Sequence, residues 1–337
     1  MKNPLHNTPK KVLDLLSNPK SQGCIIKKST VIIAVSGGPD SVFLLHLVKK
    51  LEKKLHLQII AAHINHKLRG SESDADERFV KNLCKKLKIK FETSTLPAIK
   101  KGNIEEIARD FRYSFFSKLQ KKYKATHILT AHHADDNIET VLMNMTRGSF
   151  ARGLKGMDFH GGVHRNVLRP LLHLTKEDIL QYLKKHRLAY RIDKSNTDEK
   201  YSRNFIRHQI IPLFKKLNPN FAQTFQRNLQ LFGEVDNTLS TLSKSWLAAN
   251  FMKNECLTSI FTEQPPLFQE CILTELYQQN YGHGLNLSNQ HLESVKALIT
   301  QNISGKKKEF GSKYFLVIKR NTHGKKVMKL ETRGSIH

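Results

Sequence analysis

Six consecutive residues, Ser36-Gly37-Gly38-Pro39-Asp40-Ser41, carry the strongest chemical signal in the chain. They follow a β-branched run and open an apolar-periodic stretch. A Ser-Gly-Gly turn at the start of a helix presents backbone N–H groups with no side chains in the way, and the helix dipole adds positive potential. Such a turn is a cradle for phosphate. It lacks the lysine of the G-x-x-x-x-G-K-[ST] loop. An acid inside an anion-binding turn makes sense if a Mg²⁺ ion bridges it to the phosphates, so Asp40 is the expected metal ligand.

A second constellation lies in Thr130-Ala-His132-His133-Ala-Asp135-Asp136-Asn-Ile-Glu139-Thr140. Asp136 and Glu139 are three apart on an expected helix, so their carboxylates share a face. Paired carboxylates suit an ammonium ligand, a metal, or base work on an amine; the plainer alternative is a solvated or arginine-paired helix face. Arg109 and Arg112 are also three apart, and Arg112 can hold phosphate or carboxylate bidentately or form an ordinary salt bridge. His132 and His133 beside two aspartates resemble zinc ligands, but neighbours at a strand end point to opposite sides and no further ligand cluster is near in sequence. His63 and His66 follow the second β-branched run, where a nucleotide base would lie, and His63 is expected in the nucleotide pocket. Arg203, Asn204 and Arg207, in the Asn-, Ser- and Arg-rich stretch from Ser195, suit contact with a phosphate backbone, or cap the next helix.

These residues sit at the ends of regular elements. The apolar or β-branched runs Thr30–Val35, Gln58–Ala62, Ile89–Thr93 and Thr126–Thr130 read as strands covered on both faces. Helical patterns lie between and after them at about 40–54, 73–88, 103–123, 134–147 and 175–187. Asn103 with Glu106, and Thr175 with Asp178, read as helix caps. The alternation predicts an α/β fold with a doubly wound, mostly parallel sheet and ligands at the carboxyl ends of its strands. Gly148 to Gly162, with five glycines, reads as a mobile loop. The expected division is a catalytic domain at 1–216, a helical linker at 217–250 and a smaller α/β domain at 251–337, with a strand pair near Lys308–Phe310 and Tyr314–Lys319.

The chain has 337 residues, with 56 Lys+Arg against 29 Asp+Glu, a formal charge of +27. Residues 1–216 hold 42 basic and 20 acidic residues, and the remainder 14 and 9. That bias points to a polyanionic partner, nucleic acid above all, although lysines on solvated helix faces contribute to the count. No apolar run is long enough for a membrane helix, and Met1-Lys-Asn-Pro-Leu-His is unlike a signal peptide. Cys24, Cys84, Cys256 and Cys271 lie far apart with no C-x-x-C pair, so neither a disulfide framework nor a zinc ribbon is indicated. The expectation is a soluble cytoplasmic protein.

The Ser36–Ser41 segment resembles the pyrophosphate loop of the N-type ATP pyrophosphatases, which cleave ATP between the α- and β-phosphates and adenylate a substrate. Together with Ala62–Arg69, Asn103–Tyr113, Thr130–Gly148 and Asp193–Arg207, the order and spacing closely resemble the tRNA(Ile)-lysidine synthetases over about residues 28–215. The resemblance implies ATP and Mg²⁺ as cofactors, with Ser36, Gly37, Gly38, Pro39, Asp40, Ser41 and His63 around the nucleotide. It implies L-lysine at Asp136, Glu139 and Arg112, and tRNA(Ile) with a CAU anticodon at Arg203, Asn204 and Arg207. Asp40, Arg112, Asp136 and Glu139 would be catalytic. The C-terminal module resembles that family's tRNA-recognition domain in size and composition alone, and the second C-terminal domain of longer members is expected to be absent. A homodimer is left open. The alternatives are a tRNA thiolase, which needs cysteine-borne sulfur near these motifs, and a non-catalytic tRNA-binding protein. With +22 on residues 1–216, RNA binding should weaken steeply with salt. Filter binding from roughly 50 to 300 mM salt should give a log–log slope of several units, each phosphate contact releasing about one counterion.

Overall fold

The computed structural model describes residues 8–21, 24–67, 71–97, 104–148, 151–161, 164–192, 202–282 and 287–332. The chain divides into two units, Met1–Gln230 and Leu231–His337. In the first, the elements run α1 (Thr8–Ser17), β1 (Thr30–Ala34), α2 (Pro39–Leu55), β2 (Gln58–Asn65), α3 (Ser71–Leu87), β3 (Lys90–Thr95), α4 (Ile104–Tyr123), β4 (His127–Leu129) and α5 (Ala134–Thr146). They continue as α6 (Ala151–Leu154), β5 (His160–Gly161), β6 (His164–Leu168), α7 (Lys176–Lys185), α8 (Ser202–Phe205), a π-helical turn (Ile206–Ile210) and α9 (Ile211–Leu217). Helix α10 (Phe221–Asn250) crosses from this unit into the next.

The sheet order is β3-β2-β1-β4-β6-β5, parallel except for the edge strand β5. Strand β1 is central, with Ile32 opposite Ile60 on one side and Ile128 on the other. Its side chains alternate between two cores. Val31 and Ile33 pack with Val42, Leu47 and Leu51 of α2, Val80 of α3 and Ile179 of α7. Ile32 packs with Ile60, Ile128, Val167 and α4 residues Phe116 and Leu119. A strand buried on both faces must be apolar at every position, which is why its run was legible. Each such fully buried Ile or Val contributes about 1.5–3 kcal/mol.

A parallel sheet places every strand-to-helix turn at one edge, so the N-termini of α2, α5 and α7 converge there. Helix α7 starts at a reciprocal cap, in which the Thr175 hydroxyl accepts from the Asp178 N–H (3.1 Å) while Asp178 accepts from the Thr175 N–H (2.9 Å). A small apolar cluster of Ile138, Ile206, Ile211 and Ala222 lays the π-helical turn and α9 against α5.

Several expectations need correction. Strand β6 was not anticipated, because only Val167 and Leu168 in it are apolar, though both are fully buried. The glycine-rich stretch read as a loop holds α6 and β5 and is tied to α5: Asn144 donates to the Gly153 carbonyl (2.9 Å), and the Asn137 side-chain oxygen accepts from the Met157 N–H (2.6 Å). Gly156 turns there at φ +76°, where a Cβ would collide with Asn137. Strand β2 runs on to Asn65, so His63 lies within it rather than after it. The Asn103 cap and Ser195–Asn196 fall outside the described residues.

The second unit carries β7 (Glu255–Leu257), α11 (Thr258–Thr262), α12 (Pro266–Tyr281), α13 (Asn289–Gln301), β8 (Lys307–Phe310), β9 (Tyr314–Arg320) and β10 (Lys326–Thr332). Its sheet is antiparallel, in the order β7-β10-β9-β8, rather than a strand pair. Leu273, Leu276, Val295, Leu316, Ile318 and Met328 form its core. The Tyr281 hydroxyl closes the β8–β9 turn, donating to the Phe310 carbonyl (2.7 Å) and accepting from the N–H groups of Lys313 (2.7 Å) and Tyr314 (3.0 Å). Among the described residues no helix is long and apolar enough to cross a membrane.

Candidate active site

The phosphate-loop candidates are brought together between β1 and α2. Gly37 sits at φ +95° with Val80 of α3 only 3.2 Å from where a Cβ would be, so conformation and space both demand glycine. Gly38 is the N-cap of α2 and Pro39 its first residue, suited there because it has no N–H to leave unpaired. The backbone N–H groups of Ser36 and Gly37 both point at the Ser41 hydroxyl (3.2 Å each), which donates to the Gly38 carbonyl (3.0 Å). The loop is thus folded around an oxygen atom, with its donors turned inward. The Gly37 carbonyl accepts from the Arg191 N–H (3.0 Å), and Arg191 pairs with Asp76 of α3, which staples the loop from outside.

His133 knits this loop to the acidic helix. It is 4% exposed, and its ring lies 3.7 Å from Asp40, 3.6 Å from Asp135 and 3.5 Å from Asp136. Burial works against a charge on the ring, but the three carboxylates around it prevail and raise its pKa above the ordinary imidazole value. Asp135 is half-buried, which raises its pKa, yet His133, the backbone N–H of Lys176 (2.8 Å) and Lys215 bring it down to about 2. Lys176, at the start of α7, places its ammonium on both oxygens of Asp40 (2.7 and 2.8 Å). The lysine absent from the phosphate loop is therefore supplied from 136 positions downstream.

Asp136 and Glu139 share a face of α5, with arginines on it. Asp136 accepts from the His133 N–H (3.0 Å), capping the helix. Glu139 is fully buried and accepts from Arg203 Nε (2.8 Å) and from Arg207 through Nε (2.5 Å) and Nη2 (2.8 Å). Arg207 Nη2 also reaches Asp136 (3.4 Å). Arg203 and Arg207 are one helical turn apart on α8 and the π-helical turn, and half-buried Asn204 lies between them. The arginine-paired alternative for these acids is therefore the arrangement seen. Arg112, half-buried on α4, lies near enough to act on His132. Burial pushes His132 down to about 4, Asp136 opposing and Arg169, Arg203 and Arg112 reinforcing, so its ring is neutral near pH 7 and hydrogen-bonds Thr130 (3.0 Å).

His63 is 3% exposed; one ring nitrogen bonds the Val35 carbonyl (2.8 Å), just before the phosphate loop, and Nε2 is buried without a partner. A buried orphan nitrogen beside an anion loop suits the edge of a base. Among the described residues no group of three or more His, Cys, Asp or Glu side chains forms a self-contained metal cage. Mg²⁺ uses one or two carboxylates together with substrate phosphates, and Asp40, with Asp136 facing it across His133, fits that habit.

Residues 4–214 match the family model of the PP-loop domain. A tRNA(Ile)-lysidine synthase of Chlorobaculum tepidum is 40% identical over 235 residues, 68% of either chain. The chain belongs to the tRNA(Ile)-lysidine synthase family. The Bacillus subtilis member is 39% identical over 65% of this chain and 48% of its own length, and that of Clostridium acetobutylicum 32% identical over 84% and 63%. The match thus spans about half to two thirds of these curated relatives. A U34-tRNA thiolase, NcsA, from Methanococcus maripaludis with its [4Fe-4S] cluster shares the fold, with a TM-score of 0.55 at 19% identity, covering 68% of this chain and 78% of that one.

Within this lysidine-synthase-family chain, sequence reading missed Lys176, the role of His133 and the engagement of Glu139. The spacing of Asp135 and Asp136 after two histidines was a usable signal for the His133 cluster, but nothing local ties Lys176 to Asp40. The cluster has a pH signature. Depressed Asp135 stabilises above its ordinary value of 3.8 and loses that contribution as pH falls toward 2, whereas raised His133 stabilises fully below 6.5 and loses it as pH rises through its folded pKa. The cluster therefore contributes most between about pH 4 and 6.5. Asp135→Asn should cost about 2 kcal/mol there, and the deficit should shrink below pH 4, as measured by denaturant unfolding at stepped pH.

Proposed function

We propose that the chain is an ATP-dependent ligase forming a carbon–nitrogen bond, coupling L-lysine to C2 of the wobble cytidine in the CAU anticodon of tRNA(Ile). The product base, lysidine, pairs with A and shifts the codon read from AUG to AUA. The observation that carries this reading is His133, which contacts Asp40 of the phosphate loop and Asp136 of the acidic helix through one nitrogen (3.7 and 3.5 Å). Activation by ATP and capture of an amine can then share one space, and family membership selects lysine and tRNA(Ile) for it. We further propose residues 1–216 as the catalytic domain and the C-terminal module as the part that recognises tRNA.

In this mechanism the Ser36 and Gly37 N–H groups, turning from the Ser41 hydroxyl to phosphate oxygens, hold the nucleotide with the α2 dipole behind them. The C2 oxygen of the cytidine attacks the α-phosphate, diphosphate leaves, and the base is adenylated at that oxygen. Mg²⁺, held by Asp40, would neutralise phosphate charge during this displacement. Lys176 is placed to exchange Asp40 for a phosphate oxygen, and His133, whose pKa the surrounding carboxylates raise, lies behind it. The lysine ε-ammonium, with an ordinary pKa near 10.4, must lose a proton before its nitrogen attacks C2 and expels AMP. Asp136 offers the first carboxylate to it. Glu139 joins when Arg203 or Arg207 turns outward to an RNA phosphate, a move for which their one-third exposed side chains are placed.

The thiolase alternative is disfavoured by the cysteines. In the first unit there are two, and Cys84 is buried in the core with its thiol pushed up to about 11 by desolvation. AMP release that requires tRNA(Ile), ATP and lysine together separates catalysis from simple binding, and nucleoside mass spectrometry of the tRNA identifies the product. Asp40→Ala should slow adenylation by ~10²-fold or more, read as diphosphate release; near-normal release would remove Asp40 from the phosphate site. Asp136→Asn and Glu139→Gln keep shape and remove charge. Both should raise the lysine KM while sparing the ATP KM in a steady-state titration, with the larger effect at Asp136, whereas unchanged lysine kinetics would make the pair structural.

A further inference from the structure

Arg169 is a buried charge that the mechanism above does not use. It follows β6 at the carboxyl edge of the sheet, and its relative exposure is 8%. Its Nη1 donates to the carbonyls of Asp158 (2.8 Å) and His160 (3.3 Å), and its own N–H donates to the Phe159 carbonyl (2.9 Å). No carboxylate among the described residues pairs with it, and Nε is buried with no partner at all. An uncompensated buried guanidinium costs several kcal/mol, so a fold retains one where a ligand supplies the missing anion. The two carbonyls occupy Nη1 and leave Nε, a buried donor, without a partner; Nε with Nη2 is the edge by which arginine meets a planar oxyanion side-on.

The strand order says which anion. Leu168 pairs with Leu129, so Arg169 and Thr130 leave the sheet side by side. The phosphate loop leaves β1, on the other side of β4 and two strand spacings (about 10 Å) from β6. The acids of α5 follow β4 and stand between them. Asp136, Arg112 and Arg203 act on the same imidazole, His132, as Arg169 does, which gathers one carboxylate and three guanidinium groups at this edge. Asp136, as a cation-binding group, thus has the phosphate loop to one side and the Arg169 guanidinium to the other. A zwitterionic amino acid has charges of both signs several bonds apart, which matches that order.

We propose that Arg169 binds the carboxylate of the amino-acid substrate and so selects an amino acid over a simple diamine. The proposal rests on the amine-coupling reading above. Its test compares L-lysine with 1,5-diaminopentane, the same chain without the carboxylate, as acceptors in the full-length protein and in Arg169→Gln and Arg169→Lys. Both variants should raise the lysine KM by ~30- to 100-fold, the equivalent of one charge-assisted bidentate contact. Diamine kcat/KM and tRNA-dependent diphosphate release should stay within about three-fold. A lysine KM that does not move overturns the proposal, as does a fall in diphosphate release in a folded variant, which would put Arg169 on the phosphate side. If both variants fail to fold, the Arg169 Nε–H resonance of ¹⁵N-arginine-labelled wild type decides: it should shift with L-lysine and not with 1,5-diaminopentane, and equal or absent shifts overturn the proposal. Wild type that couples neither amine to tRNA defeats the ligase reading instead, while the resonance still reports on Arg169.

Discussion

A buried imidazole held among three carboxylates is the constraint around which the first unit is arranged. Bringing Asp40, Asp135 and Asp136 to one apolar sheet edge is unfavourable unless positive charge comes with them. Lys176 supplies one such charge from α7, and His133, within the acidic segment itself, takes up a proton more readily than an ordinary imidazole because the acids surround it. The helix N-termini that converge there add the remainder, because each acid occupies the first turn of its helix, where the dipole favours a negative group. The parallel sheet is the device that makes the convergence unavoidable, since all its crossovers deliver helix starts to the same side.

The same edge sorts charge along the strands. Phosphate-seeking N–H groups lie after β1, carboxylates after β4 and, after β6, a guanidinium that no carboxylate among the described residues pairs with. Neighbouring strands in a sheet are about 4.8 Å apart, so the fold supplies a ruler on which three kinds of ligand chemistry are placed at fixed intervals. The arginines that cover Glu139 come from outside this ruler, on a segment whose π-helical turn is anchored to α5 by Ile206 and Ile211. A π turn widens the helix locally and is often found where side chains serve a site. Here it presents Arg203 and Arg207 to one carboxylate.

Much of this was legible in the residues. Strand β1 announced itself by being apolar at every position after Thr30, and the phosphate loop by two glycines and an acid directly after it. The reciprocal cap at Thr175 and Asp178 was readable from spacing alone. The failures have physical causes. Strand β6 offered two apolar residues, too few for a periodic signal, and gained its identity only by pairing with β4. Helix α1 and two strands of the second unit were likewise set by tertiary partners rather than local pattern. Glu139 read as a ligand-seeking acid because its arginines are more than sixty positions away. Pair spacing along one helix reports which side chains share a face, and cannot report what lies across from that face.

The ion pair between Lys176 and Asp40 has a bearing on how the protein comes into being. Asp40 leaves the ribosome with β1 and α2, and its counter-charge follows only when α7 has been made. Until then the nascent chain carries the loop with its acid unmatched by Lys176, even though β4 and β6 have already been made. Contacts of such long sequence separation form late, because the loop they close must be ordered first. The surroundings of Asp40 are therefore completed late, and a chain interrupted before α7 holds the Ser36–Ser41 loop without the cation that pairs with its acid.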